Sequence, residues 1–238
     1  MRFSGKQVFV TGASRGIGRA IAQAFHEEGA RVIGTRTRVV TNSDTVCDQW
    51  ISADFSDVSQ IRTCAEYVRK LEPDILVNNV GINKIAPFVD IQPEDFLAIH
   101  QVNVFAPFML CQAALPSMKR KGRGRIVNIS SIWGKISKAY RASYSTSKFA
   151  IDGLTLALAA EHAADGVIAN SIAPGFIDTE LTRTVLGESG IRTLVSSVPV
   201  GRLGQAEEIA RLVLWLTSDE NTYVVGQNIA IDGGFSRV

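Results

Sequence analysis

Tyr144 and Lys148 stand four residues apart, the spacing that puts two side chains on one face of a helix. A free phenol titrates near pH ~10 and exchanges protons poorly at neutrality. An ammonium beside it stabilises the phenolate and lowers that pKa, which suits general acid–base work; taken by itself the pair also reads as an exposed pair on a helix surface. Upstream, Ser131 follows an apolar run, Arg125 to Ile129, that reads as a strand. The C-terminal ends of strands are where open α/β sheets bind ligands. The Ser131 hydroxyl is therefore placed to hydrogen-bond a substrate oxygen that Tyr144 protonates. Asn103 falls in a helical stretch, where a buried amide must find partners. Two readings stand side by side for it: fixing the helix, or holding a water that relays protons to Lys148.

A second constellation lies near the N-terminus. The run Thr11-Gly12-Ala13-Ser14-Arg15-Gly16-Ile17-Gly18 follows a short apolar strand and opens a helix. Glycines at 12, 16 and 18 let the backbone turn sharply, approach a pyrophosphate and pack the helix on the strand. The start of that helix offers unpaired N–H groups to phosphates. At the end of the second strand an Asp or Glu would bind a free ribose 2′-hydroxyl. This chain has Gly34-Thr35-Arg36-Thr37-Arg38 there, with no acid. Arg15, Arg36 or Arg38, and the Thr hydroxyls, suit a 2′-phosphate instead. The reading is NADP(H) in preference to NAD(H).

The elements that must hold these groups alternate. Strands are expected at Gln7–Val10, Arg31–Gly34, Trp50–Ala53, Asp74–Val77, Arg125–Ile129, Val167–Ile172 and Gln227–Ile231. Helices are expected at Arg19–Glu28, Asp57–Leu71, Pro93–Met118, Tyr144–Ala163 and Ala206–Leu216. Strands separated by helices pair in parallel through right-handed crossovers. The fold class is α/β: a doubly wound parallel sheet of the Rossmann type, about seven strands, helices on both faces, one domain over 1–238. Between the second and third strands, Thr35 to Gln49 has room for a turn or two of helix at most.

Composition excludes other classes. Apolar residues are 46% of 238, ample for a core and against disorder. The charge of +2, from 25 Lys and Arg against 23 Asp and Glu, asks for neither nucleic acid nor an anionic membrane. The basic cluster Lys119 to Arg125 reads as a solvated helix end. The first residues lack the pattern of a signal peptide, and no apolar run approaches a membrane span. Cys47, Cys64 and Cys111 are widely spaced and read as ordinary buried thiols, with a cytoplasmic location expected.

Taken in order, the motifs carry a resemblance. TGASRGIG at 11–18, Asp54, NNVG at 78–81, Asn103, ISS at 129–131, YSTSK at 144–148, PGFIDT at 174–179 and the closing DGG resemble the short-chain dehydrogenase/reductase family over nearly the whole chain. Within it the pattern is most similar to bacterial 3-oxoacyl-[acyl-carrier-protein] reductases. The resemblance implies that Ser131 orients the carbonyl and Tyr144 is acid in reduction and base in oxidation. Lys148 lowers the tyrosine pKa and holds the nicotinamide ribose, and Asn103 supports the relay water. It implies further that Asp54 and Phe55 flank the adenine and that Asn79, Val80 and Gly81 line the cofactor. The stretch from Pro174 and Gly175 to Thr179 embraces the nicotinamide, with Ile177 offering a backbone contact. No metal is implied. Val80 stands where the family usually has Ala.

The substrate is less determined. Carrier-protein docking in those reductases uses basic residues beside the active-site mouth. Here one such position is Asp165, which would repel an acidic carrier. Another falls at Gly122, flanked by Lys121 and Arg123. The stretch from about 178 to 200 is the expected lid, and Trp133 is either a pocket wall or core. An acyl thioester, or a free small ketone, cyclic diol or sugar-derived alcohol, are the candidate substrates. A silent NADP(H)-binding sensor is the alternative from another class, disfavoured by the intact Ser131, Tyr144 and Lys148. The resemblance also implies a homodimer or homotetramer through the two long helices and the last strand.

Overall fold

The computed structural model describes residues 1–37 and 45–237. Seven parallel strands form one sheet: β1 (Gln7–Val10), β2 (Arg31–Arg36), β3 (Gln49–Ser52), β4 (Ile75–Asn78), β5 (Gly124–Ile129), β6 (Val167–Pro174) and β7 (Asn228–Ile231). Their spatial order is β3-β2-β1-β4-β5-β6-β7. The chain winds outward from β1 to one edge, returns to β4 beside β1, and continues to the other edge. The doubly wound class expected from the alternation is what the structure has. The order reverses between β1 and β4, and ligands bind such sheets in the crevice that this reversal opens at the C-terminal strand ends.

Helices α1 (Gly16–Glu27) and α7 (Ala206–Thr217) cover one face, while α2 (Val58–Leu71), α4 (Ala106–Arg120) and α5 (Ala142–His162) cover the other. Alternation along each strand builds the two cores. Val8 and Val10 of β1, Val32 of β2 and Ile75 and Val77 of β4 face α1 and α7. Phe9, Ile33 and Leu76, one residue out of phase, face α2 and α4, as the period-two geometry of a strand requires. Asp57 caps α2 by accepting the Ser59 N–H, and Gly29, at φ +85°, follows α1 in the left-handed conformation common after helix ends.

Two expectations need correction. The helix expected from Pro93 to Met118 is α3 (Pro93–His100), one π turn (Gln101–Phe105) and α4, continuous to Arg120. Asn103 sits inside the π turn. This run also holds an 18-residue window of mean hydropathy 1.3, so by length and composition alone it could cross a bilayer, contrary to the sequence reading. The reason is its double use. One side, including Leu110, Ala113, Ala114 and Met118, is buried against the sheet and α2, while Leu97, Phe105 and Phe108 remain exposed. The three cysteines are buried as expected; burial pushes the Cys64 and Cys111 thiols up to about 12.

Candidate active site

The glycine turn between β1 and α1 is built for close approach. Gly12 and Gly16 have φ of +66° and +54°, conformations that side chains resist. A Cβ on Gly18 would lie 2.2 Å from the Gly12 carbonyl oxygen, so the third glycine sets how tightly α1 seats on β1. Neighbouring strands hold the turn in place. The Thr35 hydroxyl accepts the Gly12 N–H at 2.9 Å, and the Thr11 hydroxyl accepts the N–H groups of Asn79 and Val80 at 2.8 and 3.1 Å. Ser14 and Arg15 are exposed on the turn, Ile17 packs inward, and α1 begins with no side-chain cap on its N–H groups. Those open donors beside a side-chain-free turn fit a dinucleotide pyrophosphate.

Several residues expected to line the cofactor act one step behind it. The Asn79 amide donates to the Thr11 and Gly12 carbonyls at 2.9 and 3.3 Å, so it braces the turn. Val80 fills the space that a side chain on Gly12 would need, its Cγ2 being 2.9 Å from that Cβ position. Asp54 accepts from the Ser56 N–H and hydroxyl, shaping its own loop. Phe55 is 3% exposed and its ring joins the core beneath α2 and α4, so the ring is not on the surface where an adenine would be flanked. At the end of β2 the Arg36 guanidinium lies 4.8 Å over the Trp50 ring, beside exposed Thr37. Arg38 lies outside the described residues.

The proton-handling groups meet at the C-terminal end of β5. Ser131 ends the strand's extension, and its hydroxyl accepts the Trp133 N–H at 3.2 Å and lies near enough to the Tyr144 phenol to lower its pKa. Helix α5 presents Tyr144 and Lys148 from its first turns. Lys148 is 3% exposed, donates from Nζ to the Ile129 carbonyl at 2.9 Å, and lies 5.5 Å from the Tyr144 ring centre. Gly134 lets this helix seat on the strand end, since a Cβ there would be 2.7 Å from the Lys148 carbonyl. Gly81 closes the group: its Cβ position is 3.3 Å from Lys148 Nζ and 3.5 Å from Asn103 Oδ1.

Electrostatics differ from the sequence expectation. Burial is the larger effect on both groups. It pushes the Tyr144 phenol above its ordinary value, against the hydrogen bond from Ser131 and the Arg141 charge, and it pushes the Lys148 ammonium down to about 8. Low-dielectric walls disfavour each charged form, so in the cofactor-free site Lys148 does not hold the phenol low. Asn103 also has a defined set of partners. Its Oδ1 accepts the Ile82 N–H at 2.8 Å, and its Nδ2 donates to the Ile82 carbonyl and the Ser147 hydroxyl. The amide thus ties the β4 loop to α5, which is the fixing reading. Any relay through this residue falls to its backbone in the π turn, where one carbonyl loses its usual i+4 donor.

Opposite these groups runs the segment after β6. Pro174 is the last residue of β6, and a Cβ on Gly175 would strike Asp232 at 2.7 Å, so Gly175 serves packing against the chain end. Ile177 bridges Gly204 through its neighbours: Gly204 N–H donates to Phe176 and Asp178 N–H donates to Gly204. The Ile177 backbone groups therefore face the other way, where its carbonyl accepts the Thr182 hydroxyl at 2.8 Å. Thr179 caps α6 (Glu180–Val195), and its Cγ2 lies 3.6 Å from the Gly16 Cβ position, bringing the lid's start over the glycine turn. Gly187 (φ 60°, ψ 178°) divides α6 with a kink.

Three further expectations resolve differently. Trp133 packs edge-on against Phe176 and Phe235 at ring distances of 6.2 Å and is 8% exposed, so it is core behind Ser131. Gly122 and Asp165 lie together at the N-terminal end of β5, where the Gly124 N–H donates to the Gly166 carbonyl. Six residues of β5, about 20 Å of strand, separate them from Ser131, so within one chain they are not beside the active-site mouth. Asp165 is moreover bound to Lys119 at 2.9 Å, while Lys121 and Arg123 pair with Asp74 and Asp219. Residues that the sequence reading did not single out include Thr11, Ser147, Gly134 and Arg141. Only Arg141 carried a signal, as a cation three positions before Tyr144.

Comparison with known proteins agrees with this geometry. A family model described as enoyl-(acyl carrier protein) reductase matches residues 12–236. The chain is 37% identical to the 3-oxoacyl-[acyl-carrier-protein] reductase FabG of Escherichia coli over the whole of both chains. It is also 37% identical to the FabG of Thermotoga maritima, over 98% of this chain and 99% of that one. Among solved structures, a protein assigned as an NAD(P)-dependent gluconate 5-dehydrogenase from Beutenbergia cavernae, with NADP at low occupancy, superposes with TM-score 0.92 and 33% identity, covering 98% of this chain and 97% of that one. One assigned as a 2-deoxy-D-gluconate 3-dehydrogenase from Agrobacterium tumefaciens, with bound NADP, gives 0.90 and 32%, covering 98% and 96%. The glycine turn at the sheet's switch point, the Ser131–Tyr144–Lys148 cluster and full-length relatives together place this chain in the short-chain dehydrogenase/reductase family, as an NAD(P)-dependent oxidoreductase of the alcohol–ketone class.

Proposed function

We propose that the protein is an NADP(H)-dependent reductase of a free, low-molecular-weight ketone, reversible as a secondary-alcohol dehydrogenase. The observation that carries this is the gathering of Ser131 and Tyr144 beside buried Lys148, whose Nζ lies 5.5 Å from the Tyr144 ring centre, at the C-terminal end of β5. Bound NADPH supplies a hydride to the carbonyl carbon. Tyr144 gives its proton to the carbonyl oxygen, and Ser131 holds that oxygen in line. Lys148 places an ammonium where the nicotinamide ribose would lie and stabilises the developing phenolate once the cofactor fills the crevice. Gly12 and Gly16 would cradle the pyrophosphate, with Gly18 seating α1 behind them, Ile177 and Thr179 would hold the nicotinamide side, and Arg36 with Thr37 would meet the 2′-phosphate. That β2 ends without an acid supports NADP(H), and the NADP bound in both similar structures is in keeping with it.

A free substrate is favoured because the docking positions Gly122 and Asp165 are distant from Ser131 and Asp165 is held by Lys119. A 3-oxoacyl thioester is the second reading, supported by the 37% identity to FabG. Exposed Phe105 and Phe108, with Phe149 and Leu156 of α5, support pairing of copies through the long helices. The segment from about 178 to 200 would close over the bound substrate. The test is NADPH oxidation with a short 3-oxoacyl thioester and with small ketones, comparing wild type and Tyr144→Phe. Turnover should fall by about a hundredfold to ten-thousandfold with NADPH binding retained. Binding of NADPH without turnover of any carbonyl, and no effect of Tyr144→Phe, would identify a sensor instead.

A further inference from the structure

We infer that the substrate carries an oxyanion, a carboxylate or a phosphate, a few bonds from its reacting carbonyl, and that Arg141 binds it. The inference rests on the reductase reading above and names its substrate class. Arg141 is the residue just before α5, with non-helical backbone (φ −115°, ψ 11°), and stands three residues before Tyr144, so its long side chain starts within one turn of chain from the phenol. It is partly buried, unlike exposed Ser137, Lys138 and Tyr140 before it. Its charge draws the phenol pKa down, and burial lowers its own. The guanidinium therefore belongs to the same desolvated wall as the phenol.

Several exposed cations elsewhere have counter-charges. Lys119, Lys121, Arg183 and Arg202 each lie within hydrogen-bond distance of a carboxylate. Arg141 has no ion pair and no side-chain hydrogen bond among the described residues. A half-buried charge without a partner is unfavourable, and a ligand that brings the missing charge relieves it. The surroundings repeat the sign. Between Ser131 and Tyr144 the chain carries Lys135, Lys138 and Arg141 and no Asp or Glu. Tyr140, just before Arg141, is held at φ 69°, a strained conformation for a non-glycine residue of the kind that gathers at ligand clamps. A guanidinium offers two parallel N–H donors that match the oxygens of a carboxylate or phosphate. Its reach from a point one helical turn before the phenol limits the ligand to a short keto acid or phosphorylated ketone.

The experiment compares kcat/KM for NADPH oxidation with matched ketones that differ in one charged group. The pairs are 5-keto-D-gluconate with L-sorbose, acetoacetate with methyl acetoacetate, and dihydroxyacetone phosphate with dihydroxyacetone. At least one anionic member should exceed its neutral partner by about tenfold or more, and the pair concerned tells carboxylate from phosphate. Arg141→Gln should abolish that advantage mainly through KM, and Arg141→Lys should keep part of it. Equal use of both members in every pair, or an advantage that survives Arg141→Gln, overturns the inference while leaving the reductase reading intact. Failure of every member with protein that binds NADPH overturns both.

Discussion

Removing the Lys148 charge tests the electrostatics of the site directly. In the fold, burial lowers this ammonium from its ordinary 10.5 to about 8, whereas an unfolded lysine keeps its proton up to the ordinary value. Between those two values the unfolded chain binds more protons, so stability rises with pH there. The full penalty applies below pH 8 and is gone above 10.5. The gap is 10.5 − 8 = 2.5, which at about 1.36 kcal/mol for each pKa unit comes to about 3 kcal/mol. Lys148→Met has no such titration. Urea unfolding of both cofactor-free proteins at pH 7, 8, 9 and 10 reports the difference and cancels every other titrating group. Wild type should gain about 2–3 kcal/mol on the variant between pH 7 and pH 10. A difference that stays flat across that range would mean that Lys148 is not held in a desolvated site, and the reasoning would be refuted.

Other outcomes follow from the same geometry. Gly18→Ala forces a Cβ to within 2.2 Å of a backbone oxygen; it should destabilise the fold by about 1–3 kcal/mol and weaken NADPH binding, as thermal melts with and without cofactor would record. Arg36→Asp should move the ratio of NADPH to NADH use toward NADH by about tenfold, the worth of one charge-assisted contact; an unchanged ratio in steady-state assays would exclude Arg36 from the 2′-phosphate. Phe108→Glu places a charge on the exposed apolar side of α4 and should yield monomers by light scattering where wild type is a dimer or tetramer. A monomeric wild type would remove the pairing proposal.

The doubly wound sheet was legible because its evidence is local and repeated. Each strand is a short apolar run and most are separated by helical stretches, so errors at boundaries of one to three residues left the order untouched. The glycine turn and the Tyr144–Lys148 pair were legible for a like reason: backbone freedom and helical spacing are properties of neighbours in sequence. What failed was anything that depends on which way a side chain turns after the chain packs. Phe55 lies next to Asp54, yet its ring joins the core beneath α2 and α4. Asn79 follows β4 as expected, yet its amide spends its donors on Thr11 and Gly12. Gly122 and Asp165 were placed at the mouth by resemblance alone; strand direction puts them at the other end of β5.

From the residues alone came the fold class, the proton donor, its cationic neighbour and the phosphate turn, since each is written in spacing and residue type over a few positions. The tertiary structure alone decided the balance of charge. An ammonium beside a phenol favours the phenolate, but burial disfavours both charged forms. Here close packing of α5 on β5 removes the water, raises Tyr144 and lowers Lys148. It also leaves Arg141 half-buried with no carboxylate partner among the described residues. Burial and long-range pairing are sums over residues far apart in sequence, and no local pattern encodes them.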